Sequence, residues 1–124
     1  MNPQEHHVVV LGASPKPGRY ANQAVRLLKE KGYQVTPVHP NFAEIEALPV
    51  INDIANIDTE VHTLTLYVGA DRLASMVDSI VALQPQRVIF NPGTESSVLQ
   101  QSLDQHNIEW LEGCTLVMLK TNVF

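Results

Sequence analysis

The sequence predicts a doubly wound α/β fold, a parallel sheet of about five strands with helices on both faces, and three observations point to it. Short apolar runs rich in β-branched residues alternate along the chain with stretches of helical period. The first run, Val8–Leu11, is apolar at every position, as in a strand covered on both sides. That run ends at Gly12 and passes through a polar, proline-containing loop into an amphipathic stretch. Strand, helix and strand in repetition imply parallel strands joined by right-handed crossovers.

Each element follows from its own pattern. From Tyr20, the residues Tyr20, Ala24, Leu27 and Leu28 recur at helical spacing, leaving Arg26, Lys29, Glu30 and Lys31 for water. Gly32 suits the position just past the helix, and Pro17 suits its approach, where a missing N–H costs little. Gln34–His39 reads as the second strand, closed by Pro40. Asn41–Asp58 reads as a winding connection with one helical turn near Asp53–Asn56. Glu60–Val68 is the third strand, ended by Gly69. Ala70–Leu83 places Leu73, Met76, Val77, Ile80 and Leu83 on one helical face. Arg87–Phe90 is the fourth strand, Ser97–His106 a helix, Glu109–Leu111 the fifth strand and Cys114–Leu119 a last helix.

The bulk properties exclude several classes of function. A chain of 124 residues, 44% hydrophobic and 17% charged, is one domain with a core of its own and is too apolar for disorder. A formal net charge of -5 argues against nucleic acid, which needs a basic stripe, and against an anionic membrane surface. Any anionic ligand must therefore be held locally, by backbone N–H groups and a few placed cations. Cys114 is the single cysteine, so no internal disulfide forms, and a reducing, cytoplasmic setting is expected. The apolar stretch after the polar N-terminus is too short for a signal peptide or a membrane span.

Ligands of doubly wound sheets sit at the carboxyl ends of the strands. That rule nominates the loops Gly12–Asn22, Val38–Asn41, Val68–Asp71 and Asn91–Glu95. At the first, Gly12 permits a sharp turn and close backbone approach, Ser14 offers a hydroxyl, and the helix start offers unpaired N–H groups. Lys16 and Arg19 stand beside that start. The glycines at 12 and 18 do not make G-x-G-x-x-G. A domain that prefers NAD carries an acid ~20 residues beyond its glycine loop. Here Pro37-Val38-His39-Pro40-Asn41 stands there, with no carboxylate before Glu44, which leaves NADP or coenzyme A. Asn91-Pro92-Gly93-Thr94-Glu95 is a tight polar turn in which Glu95 is expected to cap the following helix. Catalytic signatures are thin. Cys114 lies in an apolar "CTLVML" stretch that reads as a buried thiol, and His6-His7 reads as a solvent-facing pair.

The chain resembles the small CoA-binding domain proteins, single Rossmann-like domains related to the CoA-binding part of the succinyl-CoA synthetase α subunit. The residues that carry the likeness are Gly12-Ala13-Ser14 with Arg19-Tyr20 and Asn22, Val38-His39-Pro40, Asn91 to Glu95, and Cys114 to Leu119. The resemblance implies coenzyme A, or an acyl-CoA, lying across the strand ends. Its diphosphate falls at Gly12–Asn22, its adenosine toward Val38–Pro40, and its pantetheine arm near Val68, Gly69, Asn91, Pro92 and Gly93. Many relatives carry a Gln where this chain has Asn91-Pro92-Gly93. The implied role is a stand-alone carrier, sensor or partner module with no reaction of its own. A small NADP-dependent oxidoreductase and a nucleotide-free regulatory domain are the alternatives. An open edge strand leaves room for a homodimer, and an acyl-CoA enzyme is the other partner considered.

Overall fold

The computed structural model describes residues 2–124. Five parallel strands form the main sheet: β1 (His7–Leu11), β2 (Gln34–Val38), β5 (Thr63–Leu66), β6 (Arg87–Phe90) and β7 (Glu109–Glu112). Their order is β2-β1-β5-β6-β7, so the chain reverses direction across the sheet between β1 and β5. The helices are α1 (Tyr20–Glu30), α2 (Ala70–Leu73), α3 (Val77–Leu83), α4 (Ser97–Gln105) and α5 (Thr115–Lys120). This is the parallel, two-layered-over α/β arrangement of a Rossmann-like fold. Among the described residues, no helix is long and apolar enough to cross a membrane.

The pleat of β1 divides the core. Val8 and Val10 point to one face, where they meet Val25 and Leu28 of α1 and Leu119 of α5. Val9 and Leu11 point to the other, with Leu73 of α2, Ile80 of α3 and Leu99 and Leu103 of α4. Alternation by two thus gives each face a core, and all five β1 residues are buried. The C-terminus of α1 closes as its sequence predicts. Gly32 takes φ +89°, and the N–H of Tyr33 reaches back to the Leu28 carbonyl at 3.1 Å.

Four features depart from the sequence reading. The connection after β2 contains a hairpin of β3 (Glu44–Ile45) and β4 (Leu48–Pro49) before the helical turn, which is a 3-10 turn over Ile54–Asn56. Glu46 and Ala47 make its bend with φ +50° and +62°, a conformation for which Gly or Asn is the usual signal. The bend is anchored from α1. Asn22 Nδ2 donates to the Glu46 carboxylate at 3.0 Å and Lys29 Nζ to the Glu46 carbonyl at 2.8 Å.

The predicted helix over 70–83 is two helices. Ser75 Oγ donates to the Arg72 carbonyl at 2.8 Å, taking up a backbone acceptor at the break between α2 and α3. The regular third strand, β5, is shorter than the apolar run, although His62 N–H to the His7 carbonyl and Tyr67 N–H to the Leu11 carbonyl continue its pairing.

His6 and His7 are not a solvent pair. His7 is buried, with Nδ1 donating to the Glu60 carbonyl at 2.8 Å and Nε2 accepting from Thr36 Oγ1 at 2.7 Å. Arg87 Nε donates to Thr63 Oγ1 at 2.8 Å, which lies 2.7 Å from His6 Nε2. Thr63 Oγ1 thus bridges the Arg87 guanidinium and the His6 ring. Burial first, and the charge of Arg87 second, push the His6 pKa down to about 4, which keeps the ring neutral.

Candidate functional site

A cleft of about 770 Å³ opens at the carboxyl ends of β2, β1 and β5, where the strand order reverses. Its size is ordinary for a small-molecule site. Its floor is the backbone that leaves β1. Gly12 has φ +87°, and a Cβ there would meet Val68 Cγ2 at 2.8 Å and the Tyr67 carbonyl oxygen at 2.9 Å. Only glycine fits. The N–H groups of Gly12 and Ala13 both donate to the Val38 carbonyl at 3.1 Å, fixing the loop against the end of β2.

The loop then carries Ser14, Lys16 and Arg19 past the cleft to the start of α1. Ser14 Oγ accepts from the Lys16 N–H at 3.1 Å, which tightens the turn. Arg19 is the N-cap residue of α1 and makes no side-chain capping bond. The amide N–H groups of the first turn, beginning at Tyr20, are therefore left for a ligand, at the positive end of the helix dipole. Lys16 and Arg19 add two charges there. The ion pair found among the described residues joins His62 to Glu60 at 3.1 Å, and neither cation takes part in it.

A second wall comes from the chain after β2. His39 and Phe42 lie with ring centroids 4.5 Å apart, and Asn52 Nδ2 donates to both of their carbonyls, at 2.9 and 3.0 Å. Pro40 lines the cleft beside them. His39 Nδ1 accepts from the Asn41 N–H at 3.0 Å, so the neutral ring carries its proton on Nε2. Burial, then the nearby charge of Arg72, hold the His39 pKa below its ordinary value and favour that neutral form.

Across the cleft, Val68 continues from β5, and Arg72 of α2, Ser75 and Met76 of the turn after it and Ser79 of α3 line it. Tyr67 lines it too. Its hydroxyl is buried near Thr65 and Thr115 without a hydrogen bond to either, and burial pushes its pKa up to about 12.

The cleft thus gathers Gly12, Ala13, Ser14, Lys16, Arg19, Tyr20, Val38, His39, Pro40 and Val68 of the residues predicted from sequence. Gly69 is the N-cap of α2, just beyond Val68. Asn22 is fully buried behind the loop, donating to the Ser14 carbonyl at 2.9 Å and accepting from Arg26 Nε at 2.7 Å, so it shapes the loop from within. Asn91, Pro92 and Gly93 follow β6 and do not line this cleft.

Two neighbouring expectations are corrected. Ser96, not Glu95, caps α4, its side chain accepting from the Leu99 N–H at 3.2 Å. The Glu95 carboxylate instead accepts from the Gly93 N–H at 3.1 Å and closes the turn. Cys114 is half-buried, as the N-cap residue of α5.

Sequence reasoning missed Phe42, Asn52, Tyr67, Arg72, Ser75 and Ser79. Arg72 had a signal, a cation in the first turn after a strand-ending glycine. Asn52 had none, because it reaches the cleft only through the β3–β4 hairpin.

The five-stranded parallel sheet with its cleft at the reversal defines a Rossmann-like α/β domain. The chain belongs to the CoA binding domain family, whose profile matches residues 6–120. The chain is similar to an uncharacterized protein of known crystal structure at 39% identity, covering 96% of this chain and 98% of that one, with a TM-score of 0.89. The structure of cell-free ID.343 from Thermus thermophilus is 25% identical over 100% of both chains, with a TM-score of 0.88. The dinucleotide forming acetyl-coenzyme A synthetase 1 of Ca. Korarchaeum cryptofilum shares the fold at 18% identity and a TM-score of 0.75, over 89% of this chain and 25% of that one. No curated protein matches the chain.

Proposed function

We propose that the chain binds coenzyme A or an acyl-CoA in this cleft, as a stand-alone carrier, sensor or partner module with no reaction of its own. The diphosphate rests over Gly12 and Ala13, against the first turn of α1 and the charges of Lys16 and Arg19. The adenine lies along His39 and Phe42, where the His39 Nε2–H is a donor. The pantetheine arm leaves past Val68 and Tyr67, along the remaining strand ends.

One observation carries the reading. An uncapped helix start and two cations without an ion pair converge on a glycine floor inside a cleft, in a chain whose net charge is -5. Unpaired positive groups gathered at one place in an acidic protein call for an anionic ligand. The residues fit a diphosphate, and the absence of an acid at the end of β2 fits a nucleotide with a phosphorylated ribose.

Thermal unfolding with CoA, acetyl-CoA, NADP and NAD side by side tests it. A ligand at a hundred times its Kd adds ~2.7 kcal/mol, a rise of roughly 10 °C in Tm for a domain of this size. CoA or acetyl-CoA should produce that rise. A rise with NADP alone replaces the reading with a dinucleotide site, and no rise with any of the four refutes it.

A further inference from the structure

We propose that Arg72 reads a phosphate on the ribose, so that the cleft selects a 3′-phosphorylated adenosine diphosphate over its unphosphorylated counterpart. This rests on the coenzyme A reading above and deepens it by assigning the selectivity to one residue.

Lys16 and Arg19 approach the cleft from the side of the sheet covered by α1, and Arg72 from the side covered by α2. Arg72 of α2, Ser75 and Met76 of the turn after it, and Ser79 of α3 all line this side of the cleft. Arg72 lines the cleft together with His39, and its charge helps hold the imidazole pKa down, which sets it toward the wall assigned to the nucleoside.

No acid in the cleft neutralises it. Asp53 lines the cleft, but its carboxylate accepts from the Ala55 N–H at 2.9 Å and caps the 3-10 turn. Arg72 takes part in no ion pair among the described residues. An exposed guanidinium without an ion pair, in a cleft that also holds the His39 Nε2–H, offers a phosphate group charged and neutral donors. A diphosphate bound at α1 leaves this second charge free, and a phosphomonoester on the ribose is the group of CoA that remains for it.

Isothermal titration calorimetry of CoA and dephospho-CoA against the wild type, Arg72→Ala and Arg72→Lys decides the matter. Wild type should prefer CoA by about tenfold or more, as loss of a charge-assisted Arg–phosphate contact implies. Arg72→Ala should lower that preference to about threefold or less by weakening CoA alone, and Arg72→Lys should restore part of it. Adenosine 3′-phosphate 5′-diphosphate and ADP, used as competitors, should show the same collapse of preference. A preference unchanged in Arg72→Ala, or an equal loss for both ligands, overturns the assignment. So does a wild type that binds CoA and dephospho-CoA alike, which leaves the coenzyme A reading standing. A wild type that binds neither refutes that reading and this inference together.

Discussion

Asn91 Oδ1 accepts a hydrogen bond from the Thr115 N–H at 2.9 Å, tying the end of β6 to the start of α5. The same amide donates to Thr65 Oγ1 at 2.7 Å and to the Leu66 carbonyl at 2.8 Å, so one side chain joins β5, β6 and α5. Thr65 and Thr115 complete the cluster with their hydroxyls 2.7 Å apart. Asn91 is buried, and its recognised bonds are internal. Its replacement by Ala should therefore act on stability, costing roughly 2–4 kcal/mol because several buried polar groups lose their partner. Urea unfolding of Asn91→Ala measures this, and a loss below ~1 kcal/mol would show that water replaces the amide.

Gly12→Ala should destabilise the fold and abolish ligand binding together. The positive φ strains any side chain, and the Cβ meets Val68 and the Tyr67 backbone, which cannot give way cheaply. Roughly 2 kcal/mol or more is expected in denaturant unfolding. A variant of wild-type stability would mean that the loop relaxes into another turn.

Arg19→Glu separates binding from stability. The residue is exposed and its side chain caps nothing, so folding should change by less than about 0.5 kcal/mol. CoA affinity should fall by about tenfold or more, since a charge beside the diphosphate is inverted. Calorimetry paired with thermal unfolding checks both halves, and unaltered affinity removes Arg19 from the site.

Acid sensitivity should trace in part to His6. Its pKa in the folded chain, about 4, lies below its ordinary value of 6.5, so the unfolded chain takes the proton first. Stability from the neutral ring is present above about pH 6.5 and declines as pH falls toward about 4. Thermal unfolding of wild type and His6→Gln across that range should give a steeper decline in wild type. Parallel curves would place the acid sensitivity elsewhere.

The strands and the first loop were legible because their signals are local. An apolar run covered on both faces, a glycine at its end and a change of period to α1 need no knowledge of distant residues. The alternation of elements then forced parallel strands, and with them the edge of the sheet at which a ligand sits. What escaped was carried by contacts between segments far apart in the chain. The β3–β4 bend holds positive φ at Glu46 and Ala47, with Asn22 and Lys29 bonded to Glu46 from α1. His6 and His7 have polar side chains, yet Thr63, Glu60 and Thr36 pair them, leaving His7 buried and His6 half-buried.

The site divides in the same way. Sequence by itself determined the glycine floor and the cations of the first crossover, since a strand, a turn and a helix start that follow one another must lie together. Only the tertiary structure brought Arg72, Phe42 and Asn52 to the same cleft. The reason is the strand order: placing β1 between β2 and β5 sets the loops after both neighbours across from each other, and that adjacency is written in the packing of the whole sheet.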